Sequence, residues 1–216
     1  MQPNIDEALR YLGIRSDPEN TIRRQMTLLA DEISSQIKPR FLWRMMPLTR
    51  SDDGILLGDI LLTGQSAERM LHSCQRCAVL TCTLGIEFDT LVRRMQMRDM
   101  SSAVMLDTLG SAYVEAACDE AEEEIRSRCP GMYLTDRFSP GYGDLPLAIQ
   151  PQLLDLCGGQ RIGVTVTPSL LMIPQKSVTA LIGVSDSPQM ARIRGCAHCS
   201  MNQSCTLRKA GKTCAV

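Results

Sequence analysis

The amino-acid sequence predicts an α+β fold in which helices flank a mainly antiparallel, twisted sheet. Helical and strand-like segments follow one another without strict alternation, which argues against a parallel α/β sheet. Two strand-like runs, residues 40–48 and 54–63, are joined by the polar turn Ser51-Asp52-Asp53-Gly54, a pattern typical of a hairpin. The sequence has no Gly-x-Gly-x-x-Gly run after a strand, no Walker loop and no Gly-x-Ser-x-Gly elbow. A doubly wound nucleotide-binding fold is therefore not expected.

The first hundred residues predict four helices and a further strand. A short helix covers residues 5–12, and a longer one starts at Ser16-Asp17-Pro18-Glu19, where a capping side chain, a proline and an acid favour a helix start. The apolar residues of the longer helix recur at helical spacing as Ile22, Met26, Leu29, Ile33 and Ile37. Helices at residues 66–74 and 88–95 enclose a buried strand at 77–84.

The longest predicted helix starts at a cap on Ser101 or Ser102 and runs to about Arg128. One of its faces is small and polar with a single carboxylate, which indicates a groove wall; it carries Val104, Thr108, Ser111, Glu115 and Cys118. A charge run further along is typical of a solvated face; it comprises Asp119, Glu120, Glu122, Glu123, Glu124, Arg126 and Arg128. Methionines 95, 97, 100 and 105 are expected to fill core space.

The last regular elements are a helix over residues 150–156, ended by Gly158-Gly159, and strands at 162–166 and 177–184. Before them lies the loop Arg137-Phe138-Ser139-Pro140-Gly141-Tyr142-Gly143-Asp144. The loop combines a fixed cation with glycines and a proline that let a backbone approach a ligand closely. A surface turn is the simpler interpretation of the loop by composition alone.

The composition is that of an ordinary globular protein, with 216 residues, 44% hydrophobic content, 22% charged content and a net charge of −1. This balance indicates neither a nucleic-acid partner nor a membrane surface. The N-terminus lacks the basic and apolar regions of a signal peptide, and no apolar run approaches the ~18 residues of a membrane span. A cytoplasmic location is expected.

Ten cysteines are distributed unevenly along the chain. Six of them lie among apolar or small residues: Cys74, Cys77, Cys82, Cys118, Cys129 and Cys157. Of these, the group Cys74, Cys77 and Cys82 is expected in the core. The other four crowd the C-terminus: Cys196, Cys199, Cys205 and Cys214. Four thiolates beginning with a Cys-x2-Cys spacing, in a segment with five basic and no acidic residues, predict an iron–sulfur cluster or a zinc site. Free thiols are the alternative, and spacing leaves iron and zinc open.

Four motifs together carry a family resemblance. They are Gly110-Ser-Ala-Tyr-Val-Glu115-Ala116, Arg137-x-x-Pro140-Gly141-Tyr142, Ile162-Gly163-Val164-x-x-Thr167-x-Ser169 and Pro174-x-x-Ser177-Val178. In combination they resemble the activation (reactivation) domain of vitamin B12 (cobalamin)-dependent methionine synthase, firmly over residues 100–185 and more loosely before them. The resemblance implies a domain of that fold at residues 1–188, followed by a cysteine-rich tail at 189–216.

The resemblance implies a binding site for S-adenosylmethionine. By position, Arg137 would face the methionine carboxylate and Glu115 would bond the amino group. Ser139 and Gly141 would offer backbone groups beside Pro140, and Tyr142 would line the sulfonium or adenosine region. A zwitterionic methionine end requires one cation and one carboxylate, and a sulfonium favours an aromatic face.

The implied role is support for the reductive remethylation of cob(II)alamin. In the resembling family this domain is a module of a much larger enzyme, so here the chain is expected to act in trans. Its partner would be a cobalamin-dependent methionine synthase or another corrinoid protein, with an electron donor such as flavodoxin or ferredoxin. The alternative is a metal-containing interaction or regulatory module that has the same fold and no longer binds S-adenosylmethionine.

Overall fold

A six-stranded antiparallel sheet with helices on both faces organises the structure, a computed structural model that describes residues 1–14, 20–189 and 209. The helices are α1 (Ile5–Tyr11), α2 (Thr21–Gln36), α3 (Gln65–Leu71), α4 (Ile86–Gln96), α5 (Met100–Arg128) and α6 (Gln150–Cys157). The strands are β1 (Arg40–Ser51), β2 (Gly54–Leu57), β3 (Ile60–Leu62), β4 (Arg76–Thr83), β5 (Tyr133–Leu134), β6 (Thr165–Val166), β7 (Met172–Ile173) and β8 (Ser177–Ser185). The predicted α+β class is confirmed.

The sheet has the strand order β3-β2-β1-β4-β8-β5, and every neighbouring pair is antiparallel. β1 pairs with β4 over its first eight residues and with β2 over its last four. β6 and β7 form a separate small hairpin. β4 and β8 therefore lie at the centre and are buried on both sides.

Alternation along β4 separates two hydrophobic cores. Ala78, Leu80 and Cys82 point to the face covered by α1, α2, α4 and α5. Cys77 and Val79 point to the opposite face, which α3 and α6 cover. Successive side chains of a strand point to opposite faces, so a central strand reads as a continuous apolar run. The predicted core positions of Cys74, Cys77 and Cys82 are confirmed, since all three are buried.

Several predicted element boundaries differ from the structure. The expected strand at residues 54–63 is two strands, because Gly58 at φ +60° turns the chain between β2 and β3. The expected strand at 162–166 is reduced to β6, since residues Gly159–Ile162 form a turn of 3-10 helix. Asp99, not Ser101 or Ser102, caps α5 by accepting a hydrogen bond from the Ser101 amide at 3.0 Å.

Two further predictions concern the ends of helices. The predicted helix start at residues 16–19 lies outside the described residues, and α2 begins in the described part at Thr21. The prediction that the methionines fill the core is wrong for Met97 and Met100, which are 90% and 61% exposed in the corner between α4 and α5. Met105 is buried as expected.

None of the helices in residues 1–14 and 20–189 has the length and apolar character that crossing a membrane requires.

Candidate functional site

A groove of about 370 Å³ runs between the end of α1, the middle of α5 and the segment that enters β8. Its lining is a mixture of aromatic, charged and hydroxyl side chains: Tyr11, Ser111, Val114, Glu115, Gln175, Lys176 and Ser177. A concave site with a few convergent polar groups is the usual form of a small-ligand site.

The middle of α5 forms one wall of the groove. Ser111 and Glu115 are four residues apart, so they lie on the same helix face one turn from each other. The interpretation of the polar stripe as a groove wall therefore holds for these two residues. Thr108 and Cys118, from the same stripe, are instead buried in the protein, and Val104 is exposed but does not line the groove.

The opposite wall is the segment between β7 and β8, which hydrogen bonds fix in place. The amide of Gln175 donates to Asp89 Oδ2 on α4 at 2.9 Å. The Ser177 hydroxyl lies 2.7 Å from the Pro174 carbonyl and 2.8 Å from Thr83 Oγ1 on β4. The two ends of this wall are thereby anchored to a helix and to the central sheet.

Lys176 connects the two walls. Its Nζ lies 3.0 Å from Asp107 Oδ2 and donates to Ser111 Oγ at 3.0 Å, and both partners are on α5. Its side chain is 16% exposed. A largely buried ammonium thus lies at the end of the groove, with only its tip available to a ligand.

Arg137 contacts three carboxylates of α5. Its Nη2 is 2.8 Å from Glu115 and 2.9 Å from Asp119, and its Nη1 is 3.0 Å from Glu122. The Arg137 side chain is only 5% exposed, whereas that of Glu115 is 37% exposed. The guanidinium therefore lies behind Glu115 and holds it in place at the edge of the groove.

The α5 charge run is a solvated face, as predicted, except at Glu122, whose side chain is 18% exposed. Glu122 and the exposed Asp119 also bind Arg137, because the loop after β5 brings the guanidinium under their side of the helix. The three carboxylates and one guanidinium sum to two excess negative charges beside the groove.

The loop that follows Arg137 is tied to the edge of the sheet. Phe138 and Leu181 of β8 exchange backbone hydrogen bonds at 2.7 and 3.0 Å, and Gly141 adopts φ +86°, which favours glycine. Tyr142 is 61% exposed. Among the described residues that line the groove, none belongs to the predicted loop set of Arg137, Ser139, Pro140, Gly141 and Tyr142. The structure thus brings Arg137 and Glu115 together. Ser139, Pro140, Gly141 and Tyr142 follow Arg137 along the chain but do not line the groove.

Sequence reasoning did not single out Tyr11, Gln175 or Lys176. Gln175 and Lys176 are the two variable positions of the Pro174-x-x-Ser177 motif, and that motif was the feature of the sequence that could have indicated their place in the groove. Tyr11 ends α1 and donates from its hydroxyl to Glu7 Oε1 at 2.8 Å. Burial and the bond to Glu7 raise the pKa of Tyr11, so its ring is neutral at physiological pH.

The predicted metal ligands Cys196, Cys199, Cys205 and Cys214 lie outside the described residues. Within residues 1–14 and 20–189, no group of three or more histidine, cysteine, aspartate or glutamate side chains is arranged to hold a metal ion.

The sheet order, the helical layers and the groove on α5 define an α+β domain with a concave site at one helix. Among solved structures, the chain is similar to the crystal structure of the MetH reactivation domain bound to AdoHcy, with a TM-score of 0.66 and 14% identity. The match covers 99% of this chain and 86% of that chain, and it confirms the resemblance at the level of the fold. No family model and no curated protein matches the sequence.

Proposed function

We propose that this protein binds S-adenosylmethionine in the groove on α5 and supports reductive remethylation of cob(II)alamin. The solved structure that it resembles over 99% of its length is a MetH reactivation domain bound to AdoHcy, which is S-adenosylmethionine without the transferred methyl group. A fold hosts many functions, so the proposal must rest on the site itself.

The observation that carries the proposal is the position of Glu115. Its carboxylate lines the groove, and one oxygen is held 2.8 Å from the buried Arg137 guanidinium. An oriented carboxylate at the edge of a groove is suited to bind the ammonium group of the methionine moiety. Glu115 is also the residue to which the family resemblance assigns this role.

The charge around the groove supports the same ligand. Three carboxylates face one guanidinium, which leaves two excess negative charges at this end of α5. S-adenosylmethionine has an ammonium, a sulfonium and a carboxylate, so its net charge is positive. Attraction between the negative cluster and the positive ligand favours the methylated ligand over its product, a zwitterion with no net charge.

The proposal extends to Arg137 and to the loop from Ser139 to Tyr142. The exposed ring of Tyr142 is suited to cover the adenosine, and Pro140 and Gly141 shape the loop beside it. A ligand carboxylate would reach Arg137 beside its three acidic partners, of which Asp119 is the most exposed at 65%.

The partner in this proposal is a cobalamin-dependent methionine synthase or a related corrinoid methyltransferase. The cobalamin of such a partner, reduced by one electron from a donor such as flavodoxin or ferredoxin, would supply the nucleophile for methyl transfer, with S-adenosylhomocysteine as the leaving group. The residues of this chain bind and orient the methyl donor, and their contribution is one of proximity and orientation.

Calorimetric titration with S-adenosylmethionine tests the proposal. The wild-type protein is expected to bind saturably, and Glu115→Gln is expected to bind ~10-fold or more weakly because a charged hydrogen bond is lost. Glu120→Gln is the matched control, since Glu120 is on the exposed side of the same helix and does not line the groove. Absence of binding by the wild type would instead favour an interaction module with the same fold.

A further inference from the structure

We propose that Lys176 binds the carboxylate at the amino-acid end of the ligand, so that Lys176 and Glu115 together hold an α-amino-acid zwitterion in the groove. Arg137 then acts as a positioning residue for Glu115. This inference rests on the proposed function and identifies which groups of the ligand the groove recognises.

The hydrogen bonds of Lys176 leave one donor for a ligand. A lysine ammonium has three N–H donors. Two of them are directed to Asp107 Oδ2 and Ser111 Oγ, both at 3.0 Å, and within the described part of the chain the ammonium has no third acceptor. Because Lys176 lines the groove, the remaining N–H is available there. The two partners on α5 fix the direction in which it points.

The hydrogen bonds of Arg137 argue against a direct carboxylate contact. Both of its terminal nitrogens already bind carboxylates, at 2.8 to 3.0 Å. Its side chain is 5% exposed and does not line the groove, whereas Glu115 does. A carboxylate at Arg137 would have to reach a side chain that is 5% exposed, and it would add a fourth negative charge to the cluster. At Lys176 the same carboxylate meets a cation with a single acidic partner.

The spacing of the two groups fits an amino acid. Ser111 and Glu115 are separated by one turn of α5, and their Cβ atoms are therefore ~6 Å apart. Lys176 Nζ is bound to Ser111 Oγ, one turn of α5 before Glu115, and both Lys176 and Glu115 line the groove. An α-amino acid has its ammonium and carboxylate on one carbon, and with a charged hydrogen bond of ~2.8 Å at each end it spans such a gap.

The test compares S-adenosylmethionine with decarboxylated S-adenosylmethionine, which retains the sulfonium and an amine and lacks the carboxylate. Each ligand is titrated into the wild type, Lys176→Met and Arg137→Gln. The wild type is expected to bind S-adenosylmethionine ~10- to 100-fold more tightly than the decarboxylated ligand. Lys176→Met is expected to abolish that preference by weakening only S-adenosylmethionine. Arg137→Gln is expected to weaken both ligands equally, because it acts through Glu115 and the amine.

Two controls keep the result interpretable. Asp107→Asn removes the acidic partner of Lys176 while Lys176 remains, and it is expected to retain the preference for the carboxylated ligand. Lys38→Met removes an exposed ammonium that follows α2 and does not line the groove, and it is expected to change neither titration. Thermal unfolding of each variant verifies that it is folded.

The outcomes separate this inference from the proposed function. If the wild type binds neither ligand, the proposed function itself is wrong. If the wild type binds S-adenosylmethionine but Lys176→Met retains the preference, or if Arg137→Gln is the variant that abolishes it, Lys176 is not the carboxylate partner and only the further inference is overturned.

Discussion

At the residue scale, Arg137 is a buried structural cation. Its guanidinium holds three side chains of α5, two of which sequence reasoning assigned to solvent. Local motifs in the sequence predicted both Arg137 and Glu115 as site residues, and of the two Glu115 lines the groove. Sequence reasoning could not identify Asp119 and Glu122 as partners of Arg137. A helix with a run of acidic residues has the same sequence pattern whether those residues face solvent or a cation from a distant loop.

The burial of Arg137 predicts a large effect on stability. Arg137→Leu removes the cation and leaves three neighbouring carboxylates to repel one another, so we expect a loss of ~2–4 kcal/mol in the free energy of unfolding. Urea unfolding followed by circular dichroism measures it. Arg40→Leu is the control, since Arg40 forms an exposed pair with Glu87 away from this cluster and is expected to change stability by less than ~1 kcal/mol. Equal losses for the two substitutions would show that the buried Arg137 cluster adds no more to the free energy of unfolding than an exposed ion pair does.

At the element scale, the loop after Arg137 also completes a helix. Gly64, which precedes α3, has no side chain to cap it. Asp144 supplies the cap from across the molecule, with Oδ2 accepting from the Gln65 amide at 2.7 Å and Oδ1 accepting from the Ser66 amide at 2.9 Å. A Cβ at position 64 would meet Asp144 at 2.8 Å, so glycine is required there. The loop conformation and the start of α3 are therefore coupled.

The cap predicts an ordered series of thermal stabilities. Wild type is expected to melt highest, Asp144→Asn lower because an amide has one acceptor oxygen in place of two, and Asp144→Ala lowest. Asp31→Ala, an exposed acid on α2, serves as the control. If Asp144→Ala melted with the wild type, the cap would not stabilise the fold.

The same cap predicts how stability depends on pH. Hydrogen bonds from the hydroxyl and the amide of Ser66 lower the pKa of Asp144 below its unfolded value of ~3.9. A carboxyl whose pKa is lower in the folded state stabilises the protein above its unfolded pKa, and that contribution is lost as pH falls through the folded pKa. The melting temperatures of wild type and Asp144→Ala are therefore expected to differ at pH 7, and the difference is expected to shrink as pH falls below the unfolded pKa of ~3.9 and through the lower folded pKa. A difference that stayed constant from pH 7 into this acid range would contradict a carboxylate cap.

The sequence predicted those helices and strands that have a local hydrophobic pattern, and it missed the strands that form only by pairing with a distant part of the chain. β4 and β8 are long apolar runs that only a central strand explains, and both were expected to within two residues. β5 and β7 were not expected. Each has two residues, too few for any periodicity, and exists only because a neighbouring strand supplies its hydrogen bonds. The cap from Asp144 has the same origin, since its partners lie 78 and 79 residues away.

At the scale of the whole molecule, the sheet edge determines where the groove can form. β5 pairs with β8 only opposite Val184 and Ser185, and Phe138 adds one bridge at Leu181. The segment leading into the start of β8 is consequently free to face α5, and Gln175, Lys176 and Ser177 line the groove there. The position of the groove thus depends on the short length of one edge strand, which no pattern in the sequence signals.

The distribution of cysteines over the whole chain predicts a metal in the full-length protein. The six cysteines in the described part are buried, and burial raises the pKa of Cys74 to about 11, so it is protonated at neutral pH and unsuited to bind a metal. The four cysteines of residues 196–214 are the predicted ligands. Anaerobically purified protein is expected to contain a zinc ion or an iron–sulfur cluster, which metal analysis and the visible absorption spectrum distinguish. The pair Cys196→Ser and Cys199→Ser is expected to lose the metal, whereas Cys74→Ala is expected to retain it. Metal-free wild-type protein, or equal retention by both variants, would show that these thiols are not a metal site.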